Sequence, residues 1–506
     1  MKNKVYLFCL YFLGNISCLI GQEQIILDNV GEKVNSKLRE LAPIVSPDGQ
    51  SLYYMVYGHD ENKGKADIWV SNLEDKDGNW SGKTRLPFPF NQIAYNQVMS
   101  VTPDGNTLMV RGILENGEVF PKGYSLIRKT KDGWSAPKKM EIAQYDEMNH
   151  GVMYSACLSN NGKILILSFR EEKLSNDLYV SFLEKSGTWT KPESLGVDIN
   201  TFSIEFSPFL ASDNKTLYFT SDRKGGKGGY DIYVSKRKGE DWTSWTEPQN
   251  IGHPVNTEGN EMYYSLSASG DYAFIASTQN QEMDYDIFKV KIKEEQKPDP
   301  VVIVYGKVLN GKTGESLEAS IHFETLPEGK EAGIAHTNPK TGEYKIVLPY
   351  GKEYGFNAKA SNFVAISDNL DLSKTADYQE IRRDLKLLPL EIGTTVRLNN
   401  IFFETGKSAL KEASFSELKK VVKLLEDNPK MKIEISGHTD NVGSEASNLK
   451  LSKERSEAVT SYLQSHNIKT DRIISKGYGE TKPLADNNTE EGKQLNRRVD
   501  FTILEN

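Results

Sequence analysis

Between residues 24 and 292 a short turn followed by an apolar strand recurs five times, and a chain with that rhythm has few folds open to it. The turns are Ser46-Pro47-Asp48-Gly49, Thr102-Pro103-Asp104-Gly105, Ser159-Asn160-Asn161-Gly162, Ala211-Ser212-Asp213-Asn214 and Ser267-Ala268-Ser269-Gly270. The strands behind them begin Leu52-Tyr53-Tyr54, Leu108-Met109-Val110, Ile164-Leu165-Ile166, Leu217-Tyr218-Phe219 and Tyr272-Ala273-Phe274. The fourth turn position falls at 49, 105, 162, 214 and 270, giving spacings of 56, 57, 52 and 56. Proline presets φ, aspartate bonds its own backbone, and glycine or asparagine tolerates positive φ, so these residues tie one strand to the next. A further strand closes most units, at Asp67-Ile68-Trp69-Val70, Asp177-Leu178-Tyr179-Val180, Asp231-Ile232-Tyr233-Val234 and Asp286-Ile287-Phe288. The second unit departs, with Tyr124-Ser125-Leu126-Ile127. Trp80, Trp134, Trp189 and Trp245 open the strand after that.

A unit of about 55 residues with four short strands has the size of one propeller blade. The copies resemble the WD-like repeats related to the TolB propeller. The count is five blades, with room for a degenerate sixth. The last copy lacks its Trp-led strand, and Gln24-Ile25-Ile26-Leu27-Asp28 resembles it, so the N-terminus is expected to close the ring and remove two exposed edges. What such a ring binds is not legible, because fold does not give function. The loop Arg223-Lys224-Gly225-Gly226-Lys227-Gly228-Gly229 could cradle an anion and is read instead as a flexible hairpin tip. The rival architecture is an integral outer-membrane barrel, whose strands alternate over about ten residues with a lipid-facing side. The Trp and turn signals of the repeat argue against it.

Lys2 and Lys4 precede an apolar stretch from Val5 to Ile20, interrupted at Gly14-Asn15. Residues 1–21 therefore read as a secretory signal. Cys9 and Cys18 lie inside it, which leaves Cys157 as the one cysteine beyond it and no disulfide to expect. Cys18 could carry a lipid, although Asn15 stands where a lipobox has leucine; both readings stay open. A net charge of -8 without a basic stripe excludes nucleic acid as a partner.

Residues 293–300 are charged and carry two prolines, and are expected to form a linker. Over 301–390 strands are expected at Val301–Val308, Ala319–Phe323 and Glu343–Leu348, in a small sandwich similar to the carboxypeptidase-regulatory-like module. Gly306 to Thr313 spells G-x-x-x-x-G-K-T, a literal P-loop pattern. That motif needs a helix whose N-terminus meets phosphate. Here the glycines flank a continuing strand and a turn, so no nucleotide is expected.

From 394 to 506 the spacing predicts β-α-β-α-β-β: a strand over Val396 to Phe403, a helix over Ser414 to Glu426, a strand over Met431 to Ile435, a helix over Asn448 to Ser465, and strands at Asp471 to Lys476 and Val499 to Leu504. The blocks Ile401-Phe402-Phe403-Glu404-Thr405-Gly406, Gly437-His438-Thr439-Asp440-Asn441-Val442-Gly443, Asn448 to Arg455, Gly477-Tyr478-Gly479-Glu480 and Asn496-Arg497-Arg498-Val499 occur in that order. They resemble the OmpA C-terminal family, which includes Pal lipoproteins and flagellar motor stators. The resemblance implies noncovalent binding of peptidoglycan through the free end of meso-diaminopimelate in the stem peptide. That end carries an ammonium and a carboxylate on one carbon. Asp440 can receive the ammonium, and Arg455 can fork onto the carboxylate with two parallel bonds, which lysine cannot do. By resemblance Asn441, Asn448 and Leu451 line the same pocket, Thr405 lies in a loop over the peptide, and Arg498 supports from behind. Glu404-Thr405-Gly406 departs from relatives that have an aspartate after the phenylalanine. The bland alternative is a structural ion pair between Asp440 and Arg455.

No catalytic group, metal site or cofactor is expected. The seven histidines, at 59, 150, 253, 322, 336, 438 and 466, make no close metal-like pair, and no nucleophile elbow occurs. Asp440 with Glu404 could be imagined as a glycosidase pair, but that leaves Arg455 without a role; an envelope hydrolase acting through the propeller has no sequence feature behind it. The expectation is a non-enzymatic anchor, exported to the periplasmic face of the outer membrane of a Gram-negative cell, holding peptidoglycan and presenting the propeller to an envelope protein. The order of propeller, sandwich and OmpA-like module is similar to a peptidoglycan-anchoring subunit of a type IX secretion machine.

Overall fold

The computed structural model describes residues 27–506 except 76–77, 116–117, 173–174, 280–283, 365, 375 and 405. The signal segment 1–21, Cys18, residues 24–26 of the closing strand and Thr405 lie outside the described residues. The chain is mostly β-sheet with few helices.

Each repeat unit forms its own antiparallel sheet. In the first, Arg39–Val45, Ser51–Tyr57, Ala66–Asn72 and Thr84–Arg85 pair in chain order. In the last, Glu261–Leu266, Tyr272–Ser277 and Asp286–Lys291 pair in order, and Leu27–Asn29 adds the fourth strand on Asp286–Lys291, with Leu27 opposite Val290. The first strand of every sheet packs on the first strand of the next, and that of the fifth packs on that of the first. The repeated turns join first and second strands. Their fourth residues all take positive φ, from 55° at Asn214 to 74° at Gly270, a region that favours glycine and asparagine.

A clamp absent from the sequence reading locks neighbouring sheets together. Asn256 accepts from the Ile232 N–H (2.9 Å) and donates to the Ile232 carbonyl (2.8 Å). Asn35 does the same to Ile287, Asn91 to Ile68 and Asn200 to Leu178. Each amide thus completes the backbone of the third strand in the preceding sheet, where an unpaired group would be costly. Asn149, at the corresponding place after the second unit, turns to the Tyr145 hydroxyl and the Gly151 N–H instead. That is the junction where Tyr124 stands at the register position of Ile68 in the first unit.

The glycine-rich loop is not a loose tip. The N–H groups of Lys227 and Gly228 point at the Asp231 carboxylate, so the anion cradle exists and the chain's own aspartate fills it. A Cβ at Gly228 would stand 2.0 Å from the Gly259 carbonyl oxygen, which fixes the loop against the fifth sheet.

The segment expected as a linker is also pinned. It forms a 3-10 turn, Glu294–Gln296. Tyr218 donates to the Gln296 carbonyl, the Gln296 amide donates to the Ile251 carbonyl, and the Asp299 N–H donates to Asp213. Beyond it two sheets face each other over a core that includes Val302, Ile321, Phe323, Tyr344 and Phe356. The strand Val301–Asn310 runs through the P-loop pattern, and a turn, not a helix, follows it. The repeat turns grip this unit. Asp48 pairs with Lys345 and Lys163 with Glu331. Asp104 accepts from the His336 N–H, and Asn106 donates to the His336 carbonyl.

The last region is a four-stranded sheet in the order Thr395–Arg397, Val499–Glu505, Lys432–Gly437, Ile473–Gly477. Helices Phe415–Asp427 and Glu445–Ser465 share its core. The strand expected over 396–403 is much shorter. After Arg397 the chain turns off the sheet, and the Ser414 hydroxyl satisfies both the N–H and the carbonyl of Phe402. A short helix, Glu490–Asn496, was not foreseen; Thr489 caps it by accepting from the Gly492 N–H.

Replacing Asn256 with leucine keeps the branched shape and leaves the Ile232 N–H unpaired, while the Ile232 carbonyl retains the Ile251 N–H. The expected cost is about 1–3 kcal/mol. Native-state hydrogen exchange at Ile232 should speed up accordingly, and unchanged exchange would contradict the clamp.

Candidate functional site

The site is built where the second helix of the last region crosses the sheet at its closest. Gly437 and Gly477 are register partners on adjacent strands. A Cβ on Gly437 would stand 2.1 Å from the Ser452 carbonyl oxygen, and one on Gly477 would stand 2.5 Å from the Lys453 nitrogen. Only glycine lets the helix sit this low. Ser452 is fully buried and its hydroxyl accepts from the Gly479 N–H. With the helix seated there, Asn448, Leu451 and Arg455 follow one another at i, i+3 and i+7 on the face nearest the strand end that carries Asp440.

Asp440 is only 7% exposed. One carboxylate oxygen accepts from the Val442 N–H at 3.0 Å, and the other accepts from Arg497 at 2.6 Å. Arg497 also reaches Glu490 at 3.3 Å. Asn448 donates to the Asp440 carbonyl (3.3 Å) and to the Glu480 carboxylate (2.6 Å), tying the loop after the first of these strands to the one after the second. Ser444 caps the helix by accepting from the Ser447 N–H.

Arg455 is half-buried. Its guanidinium lies over the Phe403 ring at 4.9 Å, and its Nε donates to the Lys407 carbonyl at 3.2 Å. Burial pulls its pKa below the usual arginine range. The neighbouring Asp440 opposes that shift and Arg497 adds to it. Asp440 pulls Arg497 the other way, upward. No direct ion pair joins Asp440 to Arg455. Two guanidinium groups therefore act on one carboxylate, and among the described residues the terminal nitrogens of Arg455 have no hydrogen-bond partner. The arrangement is able to accept an anion in two-pronged fashion beside a buried carboxylate.

The other expected residues divide. Asn441 is exposed next to Asp440, and Leu451 is half-buried between Asn448 and Arg455. Thr405 is outside the described residues; its neighbour Glu404 pairs with Lys407. Arg498 does not touch Asp440. It bonds Asp500 at 2.9 Å, and Asp500 also lies 3.4 Å from His438. Arg497, which the sequence does not place in the pocket, is the direct partner of Asp440. The signal is the register: Gly437 opposes Val499 in antiparallel strands, so residues just before Val499 stand across from those just after Gly437.

His438 is buried, stacked on Tyr478 at 5.4 Å, and held low, at about 4, by burial and by the charges of Arg498 and Lys482. The unfolded histidine takes up a proton first as pH falls. Its contribution to stability is thus complete above pH 6.5 and is lost as pH drops toward about 4. His336, in the sandwich, is depressed in the same way, so the contrast must be local. Hydrogen exchange in Lys432–Gly437 should accelerate across this window in wild type and less so in His438→Gln. Equal acceleration in both would contradict the assignment.

An OmpA family model matches residues 402–497. Over 104 residues the chain is 36% identical to outer membrane porin F of Pseudomonas fluorescens, covering 21% of this chain and 32% of the porin. It is 36% identical over 103 residues to the peptidoglycan-binding protein ArfA of Mycobacterium tuberculosis, covering 20% of this chain and 32% of that one. The solved peptidoglycan-associated lipoprotein of Burkholderia pseudomallei is 26% identical, with 20% of this chain and 87% of that chain covered and a TM-score of 0.20. The chain thus spans about a third of the length of these two curated relatives. Over residues 402–497, at its C-terminus, this protein carries an OmpA-family domain, and its relatives include an outer membrane porin and a protein named as peptidoglycan-binding.

Proposed function

We propose that the protein is a non-catalytic anchor that holds peptidoglycan through the free end of meso-diaminopimelate. Arg455 is the observation that carries this reading: a half-buried guanidinium whose fork is uncommitted among the described residues, next to a carboxylate already oriented by Arg497. The ligand's carboxylate takes the Arg455 fork. Its ammonium takes the lone pairs of Asp440 that the Val442 N–H and Arg497 leave open; an ionised carboxylate has about four such sites. Asn448 fixes the loop that presents Asp440, and Asn441, Leu451 and Thr405 complete the walls. Arg497 is a positioning residue for Asp440.

In the same reading, the five sheets that pack first strand to first strand form a five-bladed propeller closed by Leu27–Asn29, and this propeller is the platform for an envelope protein. The sandwich is the spacer between platform and clamp. The protein works at the periplasmic face of the outer membrane, which fits a secretory signal over residues 1–21 and a relative that is an outer membrane porin.

Purified sacculi test the site. Wild-type protein should sediment with them, and Asp440→Ala or Arg455→Ala should reduce the bound fraction by about tenfold or more, the loss expected when one partner of a charge-assisted pair is removed. Retention equal to wild type would contradict the assigned residues.

A further inference from the structure

The two ends of the repeat region are unlike each other. Turns between first and second strands lie at one end, where Asp48, Asp104 and Lys163 hold the sandwich. In an antiparallel sheet the connections from second to third strand, and from fourth strand to the next unit, must emerge at the opposite end. That is where the exposed large apolar side chains gather. Tyr57 ends a second strand, and Phe120 lies by the hairpin joining Thr107–Glu115 to Glu118–Thr130. Tyr95, Val152, Met153 and Phe202 lie in the connections to the next unit. Phe202 is 104% exposed and Val152 is 82% exposed. Tyr272, by contrast, starts a second strand at the sandwich end and lies under the Lys289 ammonium at 4.1 Å. A monomer rarely gathers such side chains on one face without a partner for them.

Cations are set among these side chains. Lys65 lies over Tyr95 and Arg39 over Tyr57, and the two tyrosines stack on each other. Arg39 reaches Asp284 only at 3.9 Å. Arg111 has no carboxylate partner among the described residues. Its guanidinium lies 4.3 Å over the Tyr154 ring and donates at 3.5 Å to the Val152 carbonyl, and its Nε is buried with no hydrogen-bond partner. Tyr263, from the fifth unit, is near enough for the Arg111 charge to act on it. An arginine framed by tyrosines and left without an acid is suited to a carboxylate from outside.

We propose that this end of the repeat region docks an extended segment of a partner protein in which carboxylates alternate with apolar side chains. The proposal rests on the reading of the repeats as a protein platform, and it fixes which end is free and what chemistry it takes. Apolar side chains of the segment cover Phe202, Val152 and Tyr95, and a carboxylate between them meets Arg111. The chain as a whole is acidic, at -8, and Asp60, Glu61, Asp146 and Glu147 are exposed in connections at the same end, so selectivity for an acidic segment must come from Arg111, which has no carboxylate partner among the described residues.

The test uses the full chain and fluorescence anisotropy. One labelled peptide alternates glutamate with leucine and phenylalanine, and its twin carries lysine in place of every glutamate. The acidic peptide should bind about tenfold tighter than the twin, a difference of about 1.4 kcal/mol. Arg111→Gln should abolish the preference, and Phe202→Ser, at a fully exposed position, should weaken binding of the acidic peptide while leaving retention on sacculi unchanged. Equal or tighter binding of the lysine twin would overturn the proposal, as would an acidic peptide that binds no better than an all-serine control. So would a dimer in sedimentation that Phe202→Ser dissolves, because a second copy would then be the occupant. Loss of sacculus retention in Phe202→Ser would also count against it, since the anchor and the platform are separate sites.

Discussion

The contact between Gly437, Gly477 and the backbone of Ser452–Lys453 sets the geometry on which the functional site depends. A helix crossing a sheet normally stands off by the length of the intervening side chains. Here two register-paired glycines remove that spacing, and the missing Cβ positions are occupied by helix backbone at 2.1 and 2.5 Å. Everything in the pocket follows from this low seat. Asn448 reaches the Asp440 carbonyl, Ser452 satisfies the Gly479 N–H, and Arg455 comes within electrostatic reach of Asp440.

Charge then divides the work among three residues. Asp440 is buried, and a bare carboxylate there would be costly. Arg497 offsets that cost by direct bonding and turns the carboxylate toward the site. Arg455 is left with its burial only partly compensated, which is the condition under which an incoming carboxylate is favoured. His438 and Arg498 belong to a separate buried set around Asp500, beneath the loop. They tie the strand ends together through Asp500 and make no direct contact with Asp440.

The repeat, the two long helices of the last region and its family blocks were legible because each leaves a local pattern: turn chemistry every 52–57 residues, helical spacing of apolar side chains, and motif blocks in order. What was not legible depends on register and on distant backbone. Arg497 stands beside Asp440 only because Val499 pairs with Gly437, and no spacing within one segment reveals that. The asparagine clamps join residues on different sheets, as with Asn35 and Ile287. The glycine-rich loop looked unconstrained because its constraint, Asp231, follows the motif, and the backbone it packs on belongs to another unit. The strand expected to reach Phe403 ends at Arg397, and farther on the Ser414 hydroxyl, not a neighbouring strand, satisfies the backbone of Phe402. The repeat turns do two things at once. They connect strands and they hold the sandwich, and only the first shows in the sequence.

The central claim is that a forked cation and an oriented carboxylate read both charges on one carbon of the ligand. Titration calorimetry with two soluble muropeptides addresses it directly, one ending its stem in meso-diaminopimelate and the other carrying lysine at that position, which lacks the second carboxylate. Binding of the diaminopimelate form about tenfold or more tighter than the lysine form is the result this account requires, the discrimination expected when a buried fork is left without its anion. Equal affinity for the two would mean that Arg455 does not read the carboxylate, and the assignment of the pocket would fail.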